Sequence, residues 1–252
     1  MRITKKQIDR YSRQIILKKV GVIGQKKLLK SKVLIVGAGG LGSPIAIYLA
    51  ALGIGSIGIV DKDKIEISNL NRQIIFENKD IKKNKSIVAA LKIKKINPDI
   101  KVNHYSTTLD KKNIKKIAAK YDLIVDGSDN FRTRFLINDY CLKNKKILIS
   151  GAISKFDGQV YTFNFSKKNS PCLRCFIPIM PDNPDEDNCE YEGIIGPIAG
   201  IIGSVQANEV VKEILEIGES LCGHILIIDG LKHTFRKVKL NKRTNCYCYE
   251  KN

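Results

Sequence analysis

The apolar positions of residues 1–30 carry the spacing of amphipathic helix, a preamble ahead of a sheet. The run "KVLIVG" that follows is continuously apolar, as expected of a strand buried on both faces. A glycine turn and a helix to about Leu52 come next, then a second apolar strand, "SIGIVD". Residues 61–83 are polar, with no clear period. Helical spacing returns from about Lys85 to Ile96 and stops at "NPD". A strand near 100–105, a helix near 111–119, the strand in "DLIVDGSDN", a helix near 131–143 and the strand "KILISG" complete this half. Strands alternating with helices predict an α/β fold built on a doubly wound, mostly parallel sheet.

Beyond Gly151 the pattern changes. "GQVYTFNF" alternates like an antiparallel strand, a Pro- and Asp-rich loop spans "FIPIMPDNPDEDNCEYEG", and a buried glycine-dotted helix occupies about 194–217. Two strands, "HILIIDG" and "HTFRKVKL", lead to the tail "NKRTNCYCYE". The expectation is one domain over 1–252, with a helical segment (1–30), a nucleotide-binding half (31–150) and an antiparallel C-terminal half (151–252) expected to bind a partner protein and a metal.

The chemistry begins at "GAGGLG", where Gly37, Gly39, Gly40 and Gly42 lie between a strand and a helix. Glycines let backbone approach a phosphate closely, and the helix N-terminus favours the anion. Asp61 stands at the end of the second strand, where a carboxylate takes ribose hydroxyls in Rossmann-like folds. Taken alone, this motif reads as the NAD site of an oxidoreductase. Arg72 in "SNLNRQ", Lys85 in "IKKNKS" and Asp129 in "DGSDN" change the picture. Two cations and a carboxylate beside a nucleotide suit a triphosphate with Mg²⁺. NAD carries only a diphosphate and needs no metal.

The segments "RYSRQI", "GAGGLGSP", "DKDKIEISNLNRQ", "INPDI", "DGSDN", "CLRC" and "GPIAGIIGSVQANEVVK" stand in the order of the HesA/MoeB/ThiF proteins, bacterial relatives of ubiquitin-activating enzymes. The chain resembles them from about Arg10 to Cys248. The resemblance implies an E1-like adenylation fold and an adenylyltransferase. Its substrate would be the C-terminal Gly-Gly carboxylate of a ubiquitin-like sulfur-carrier protein of thiamine or molybdopterin biosynthesis, with ATP as a reactant. It further implies that the four glycines form the phosphate turn and that Asp61 holds the ribose. Asn69, Arg72 and Lys85 would bind the triphosphate, and Asp129 the Mg²⁺. Arg13 matches an arginine that reaches into the neighbouring subunit's site, which implies a homodimer. An NAD-dependent oxidoreductase and a non-catalytic scaffold of the same fold stand as alternatives.

Seven cysteines without an export signal point to metal binding or thiol chemistry before disulfides. Cys172 and Cys175 form a C-x-x-C, and Cys246 and Cys248 a C-x-C, together suited to a structural Zn²⁺. The family's second pair is also C-x-x-C, so the tail departs from the pattern. Cys189 matches a crossover-loop cysteine that links covalently to the carrier in some members; here the flanking acids would damp it. Cys141 and Cys222 read as ordinary helix and loop residues, and the three His as ungrouped strand-surface positions.

The net charge of +19 is mostly Lys scattered along the chain, which argues against a nucleic-acid face and for attraction to an acidic protein partner. Against this Lys background Arg13, Arg72 and Arg174 stand out. No apolar run is long enough for a membrane helix, and the expected location is cytoplasmic. No rhodanese-like extension follows the last cysteines, so sulfur is expected from a separate sulfurtransferase or cysteine desulfurase.

Overall fold

The computed structural model describes residues 3–168, 170–182 and 193–246. Its strands are β1 (Lys32–Val36), β2 (Ser56–Val60), β3 (Lys101–Tyr105), β4 (Leu123–Asp126), β5 (Ile147–Ser154), β6 (Asp157–Asn164), β7 (His224–Asp229) and β8 (Thr234–Lys239). They form one eight-stranded sheet, in the order β3-β2-β1-β4-β5-β6-β7-β8. The pairings from β3 to β5 are parallel and those from β5 to β8 antiparallel. The doubly wound half with an antiparallel extension is therefore present as expected from the sequence.

The helices are α1 (Lys5–Ile15), α2 (Gly21–Lys30), α3 (Gly42–Leu52), α4 (Lys85–Ile96), α5 (Ile114–Ala118), α6 (Phe131–Lys143), α7 (Leu173–Phe176) and α8 (Gly196–Leu215). Local chemistry sets their ends. Thr4 and Gln7 form a reciprocal capping box on α1, and Asn130 caps α6 through Thr133 N–H. Gly53 ends α3 in the left-handed region at φ 84°. One apolar core packs α2, α3, α4 and α8 on the sheet, with Leu28, Ile45, Leu49, Ile93, Ile202 and Val210 buried. A second, with Ile117, Phe135, Phe163 and Leu173, fills the other side beneath α5 and α6. The central strands read as unbroken apolar runs because both their faces are covered. Among the described residues no helix is long and apolar enough to cross a membrane.

Three elements depart from the sequence reading. The helix expected over 111–119 starts only at Ile114, because Asp110 accepts hydrogen bonds from the N–H groups of Lys112 and Asn113 and holds those residues in a turn. β5 runs past Gly151 to Ser154, since it continues into a hairpin with β6 around Lys155 and Phe156. Residues 61–83 are a closed loop, not a structureless one. Near its ends the Ile65 N–H donates to the Lys83 carbonyl and the Lys82 N–H to the Ile65 carbonyl, and two 3-10 turns, Ile67–Asn69 and Asn78–Asp80, lie inside it.

The order of β1 to β5 places β1 beside β4, the point where the strand order reverses. Ligands of open α/β sheets bind in the crevice there, beyond the strands' carboxyl ends. The glycine turn after β1 and "DGSDN" after β4 meet across it. Gly37 has φ +90°, and a Cβ there would lie 2.7 Å from the Gly127 carbonyl oxygen. At Gly42 the same atom would lie 2.0 Å from the Gly37 carbonyl oxygen. Gly42→Ala must therefore force the turn open, and we expect it to cost about 3 kcal/mol, the upper range for overpacking. Chemical denaturation of the purified variant checks this.

Candidate nucleotide site

The N-terminus of α3 opens directly from the glycine turn, so its positive dipole end lies at the crevice. Asp61 stands immediately after β2. Its Oδ2 accepts from Ala38 N at 2.8 Å and its Oδ1 from Asp63 N at 2.8 Å. Burial raises its pKa, while the Ala38 N–H and Lys85 pull it down. A carboxylate held beside Ala38 still has lone pairs for ribose hydroxyls.

The closed loop over 61–83 delivers the cations. Asn69 is buried and its Oδ1 accepts from Glu66 N, which leaves Nδ2 as a donor without a partner among the described residues. Arg72 is half-buried, and its stem lies over Gly40, with Cγ 3.6 Å from where a Cβ on that glycine would be. Its guanidinium donates to the Ser68 carbonyl (2.9 Å) and to Asn71 Oδ1 (3.2 Å). Lys85 is only 7% exposed, at the first position of α4, and its Nζ lies 3.3 Å from Asp63 Oδ2. That position is costly, because a buried cation stands at the positive end of a helix dipole. Stability alone would choose otherwise; an anion in the crevice would compensate it.

Asp129 follows β4 and is exposed. Its Oδ1 accepts from Asn130 Nδ2 at 3.2 Å, leaving carboxylate lone pairs open to a hard cation. The loop that carries it is pinned by residues the sequence reading passed over. Asp126 is 1% exposed and accepts from Ser128 N (3.0 Å), Ser128 Oγ (2.6 Å) and Ser150 Oγ (2.7 Å). Gln206 of α8 donates to the Asp126 carbonyl, and Arg134 bridges the carbonyls of Ser128 and Gly151. The acid closing a buried strand was the available signal for Asp126. Asp63, the partner of Lys85, carried no signal at all.

Contacts thus gather the glycine turn, Asp61, Arg72 and Lys85 on one side of the crevice, with Asp129 on the loop facing it. Arg13 is not among them. It is exposed near the end of α1 and has no ion-pair partner among the described residues. Arg174 proves to be a structural residue. It makes a two-pronged pair with Asp139 (2.9 and 2.8 Å) and stacks over the Phe135 ring, tying α7 to α6.

Cys172, Cys175 and Cys246 converge, all three buried, across 74 residues of sequence. The sulfur of Cys172 lies 3.9 Å from that of Cys175 and 3.6 Å from that of Cys246. Thiolates at about 2.3 Å from a tetrahedral zinc stand roughly 3.8 Å apart, so the set fits that ion. The hydrogen bond with Cys172 and burial hold the Cys175 thiol well above its ordinary range. Cys248 and Cys189 lie outside the described residues. Cys141 is a buried helix residue and Cys222 a partly exposed loop residue. His104, His224 and His233 form no cluster with one another or with the cysteines among the described residues.

Residues 11–248 match the model of the ThiF family. The chain is 41% identical over 249 residues to the sulfur carrier protein adenylyltransferase of Thermus thermophilus, covering 98% of this chain and 92% of that one. It is 41% identical to the SAMP-activating enzyme E1 of Haloferax volcanii, over 95% of this chain and 88% of that one. The adenylyltransferase and sulfurtransferase MOCS3 of Dictyostelium discoideum is 43% identical over 95% of this chain, which spans only 56% of that protein. Among solved structures, E. coli MccB crystallised with ATP superposes at a TM-score of 0.82 with 24% identity, over 95% of this chain and 74% of MccB, a likeness of fold. The chain belongs to the ThiF family.

Proposed function

We propose that the protein adenylates the C-terminal Gly-Gly carboxylate of a ubiquitin-like sulfur-carrier protein, serving thiamine or molybdopterin biosynthesis. The observation that carries this reading is the buried, dipole-opposed Lys85 near Asp61 together with Arg72 over Gly40 of the glycine turn, a cationic set suited to a triphosphate and in excess of what a dinucleotide needs. Similarity along nearly the whole length of the Thermus adenylyltransferase supports it.

The carrier's carboxylate is already ionised near neutral pH, so its attack needs no general base. One carboxylate oxygen bonds to the α-phosphorus. The bond from that phosphorus to the bridging oxygen breaks, and pyrophosphate leaves with the electron pair. The chain's task is alignment and charge stabilisation. The glycine turn and the α3 N-terminus hold the phosphates, Asp61 the ribose, and Asn69, Arg72 and Lys85 the charge that builds on the leaving group. Asp129 would hold Mg²⁺, which when bound offsets phosphate charge.

The second subunit completes the picture. Arg13 is exposed and unpaired among the described residues, and Leu17, Ile23 and Tyr48 are exposed as well. Leu17 and Tyr48 border an apolar hollow of about 300 Å³ between α1, α3 and α8. A second copy packed there would cover that face and deliver Arg13 to its neighbour's site. Cys189 is the candidate thiol for a covalent link to the activated carrier, and a separate sulfurtransferase or cysteine desulfurase would provide sulfur. The reaction is placed in the cytoplasm.

Zn²⁺ held by Cys172, Cys175 and Cys246, with Cys248 as fourth ligand, would anchor the C-terminal tail to α7. We expect about one zinc per purified chain, the stoichiometry of a closed structural site. Elemental analysis should show it lost in Cys246→Ser and retained in Cys222→Ser.

The test of the function is ATP–pyrophosphate exchange with Mg²⁺ and candidate carriers. Exchange that requires a carrier ending in Gly-Gly supports the proposal. ATP binding without exchange points to another substrate, and NADH binding in place of ATP to the redox alternative.

A further inference from the structure

Ser128 stands directly ahead of Asp129, and three of its polar groups are held. Its N–H (3.0 Å) and its hydroxyl (2.6 Å) donate to Asp126 Oδ1, and its carbonyl oxygen accepts from Arg134 Nη2 at 2.7 Å. Arg134 Nη1 donates at the same time to the Gly151 carbonyl at 2.8 Å. The parallel ladder between β4 and β5 ends at Asp126 and Ser150. The guanidinium therefore spans the two chains just past the point where their own pairing stops. It reaches them from α6, whose N-terminal cap Asn130 also donates to Asp129 Oδ1. Arg134 is half-buried and has no ion-pair partner among the described residues.

Backbone geometry gives these contacts different tasks. The peptide unit is planar, so the Ser128 carbonyl and the Asp129 N–H turn together about the Ser128 Cα–C bond. The two contacts from Asp126 lie on the near side of that bond and the one from Arg134 on the far side. The Arg134 contact therefore sets the direction in which the chain leaves Ser128, and with it the place of the Asp129 carboxylate. We propose that Arg134 is a positioning residue, acting through the Ser128–Asp129 peptide to aim the Asp129 carboxylate at Mg²⁺. The planar fork suits the task, because it meets two carbonyls at a fixed separation; a lysine ammonium has no such fork. This inference rests on the assignment of Mg²⁺ to Asp129 proposed above.

Calorimetric titration of the full chain with ATP, with and without Mg²⁺, tests the proposal, beside thermal unfolding in the absence of nucleotide. The readout is the gain in ATP affinity that Mg²⁺ confers. In Arg134→Met that gain should fall about tenfold, the lower end of what loss of an outer-shell partner costs a metal site. ATP affinity without Mg²⁺ should stay within about twofold of wild type, since Asp61, Arg72 and Lys85 make their hydrogen bonds to other groups. Arg134→Lys keeps the charge and loses the fork. It should move the same way by a smaller factor, and it serves if the methionine variant does not fold. A wild-type gain in either folded variant, even beside a lowered unfolding temperature, would mark a structural residue and overturn the proposal. So would ATP binding weakened equally with and without Mg²⁺. Asp129→Ala in the same titration separates the inference from its premise. No gain in the wild type, or a gain that survives Asp129→Ala, would overturn the Mg²⁺ assignment and this inference with it.

Discussion

Asp129→Ala should lower carrier-dependent pyrophosphate exchange by about a thousandfold while leaving the protein folded. The magnitude follows from removing the carboxylate for Mg²⁺, whose charge stabilisation is worth several kcal/mol, each 1.4 kcal/mol being about tenfold. The fold survives because Asp129 is exposed and, among the described residues, its side chain accepts a hydrogen bond only from the adjacent Asn130. It stands just ahead of the N-terminus of α6, so the lost interaction with the helix dipole costs at most about 1 kcal/mol. Asp126, three residues earlier, should behave oppositely. Its buried carboxylate satisfies Ser128 and Ser150, and Asp126→Ala should unfold or loosen the loop before activity can be read. Exchange within about twofold of wild type in Asp129→Ala, on the scale where surface changes are neutral, would sink the Mg²⁺ assignment.

Lys85→Met is expected to lose exchange by about a hundredfold or more, the range for removing one charge-stabilising donor, and to be as stable as wild type or slightly more so. Methionine keeps the buried stem and removes a cation from the positive end of α4. The ion pair that is lost, to a half-exposed Asp63, is the kind that contributes little. Lys92 on the same helix makes the contrast. It pairs with Glu77 and with the buried Asp80, whose pKa is lowered although burial pushes it up, because Lys92 and the Glu77 N–H outweigh the burial. Lys92→Met should cost about 1 kcal/mol or more in stability, the scale of a lost charged hydrogen bond, and leave the kinetics of the folded protein unchanged. Unfolding midpoints and exchange rates for the two variants give the comparison. Equal destabilisation of both, with activity tracking stability, would make Lys85 a structural lysine.

The framework of this site was legible because it is written in periodicities. β1, the glycine turn, α3 and β2 follow one another in apolar runs and helical spacing, and α4 occupies the span read for it. The closed loop over 61–83 was not legible. Asn69 and Asp80 hold its turns by side-chain hydrogen bonds to backbone, and such bonds leave no period. The motif "CLRC" announced a metal site, and the fold supplied what spacing alone does not, the convergence of Cys246 upon it. Arg174 misled in the other direction: a rare Arg in a Lys-rich chain proved to be half of a structural pair.

The most direct test is the intact mass of a purified sulfur carrier ending in Gly-Gly after incubation with this protein, ATP and Mg²⁺. The account predicts a carrier heavier by one adenylyl group, formed with release of pyrophosphate, labile to hydroxylamine, and absent when the terminal glycine is deleted. An unmodified carrier, from a protein that binds ATP and carrier together, would contradict it.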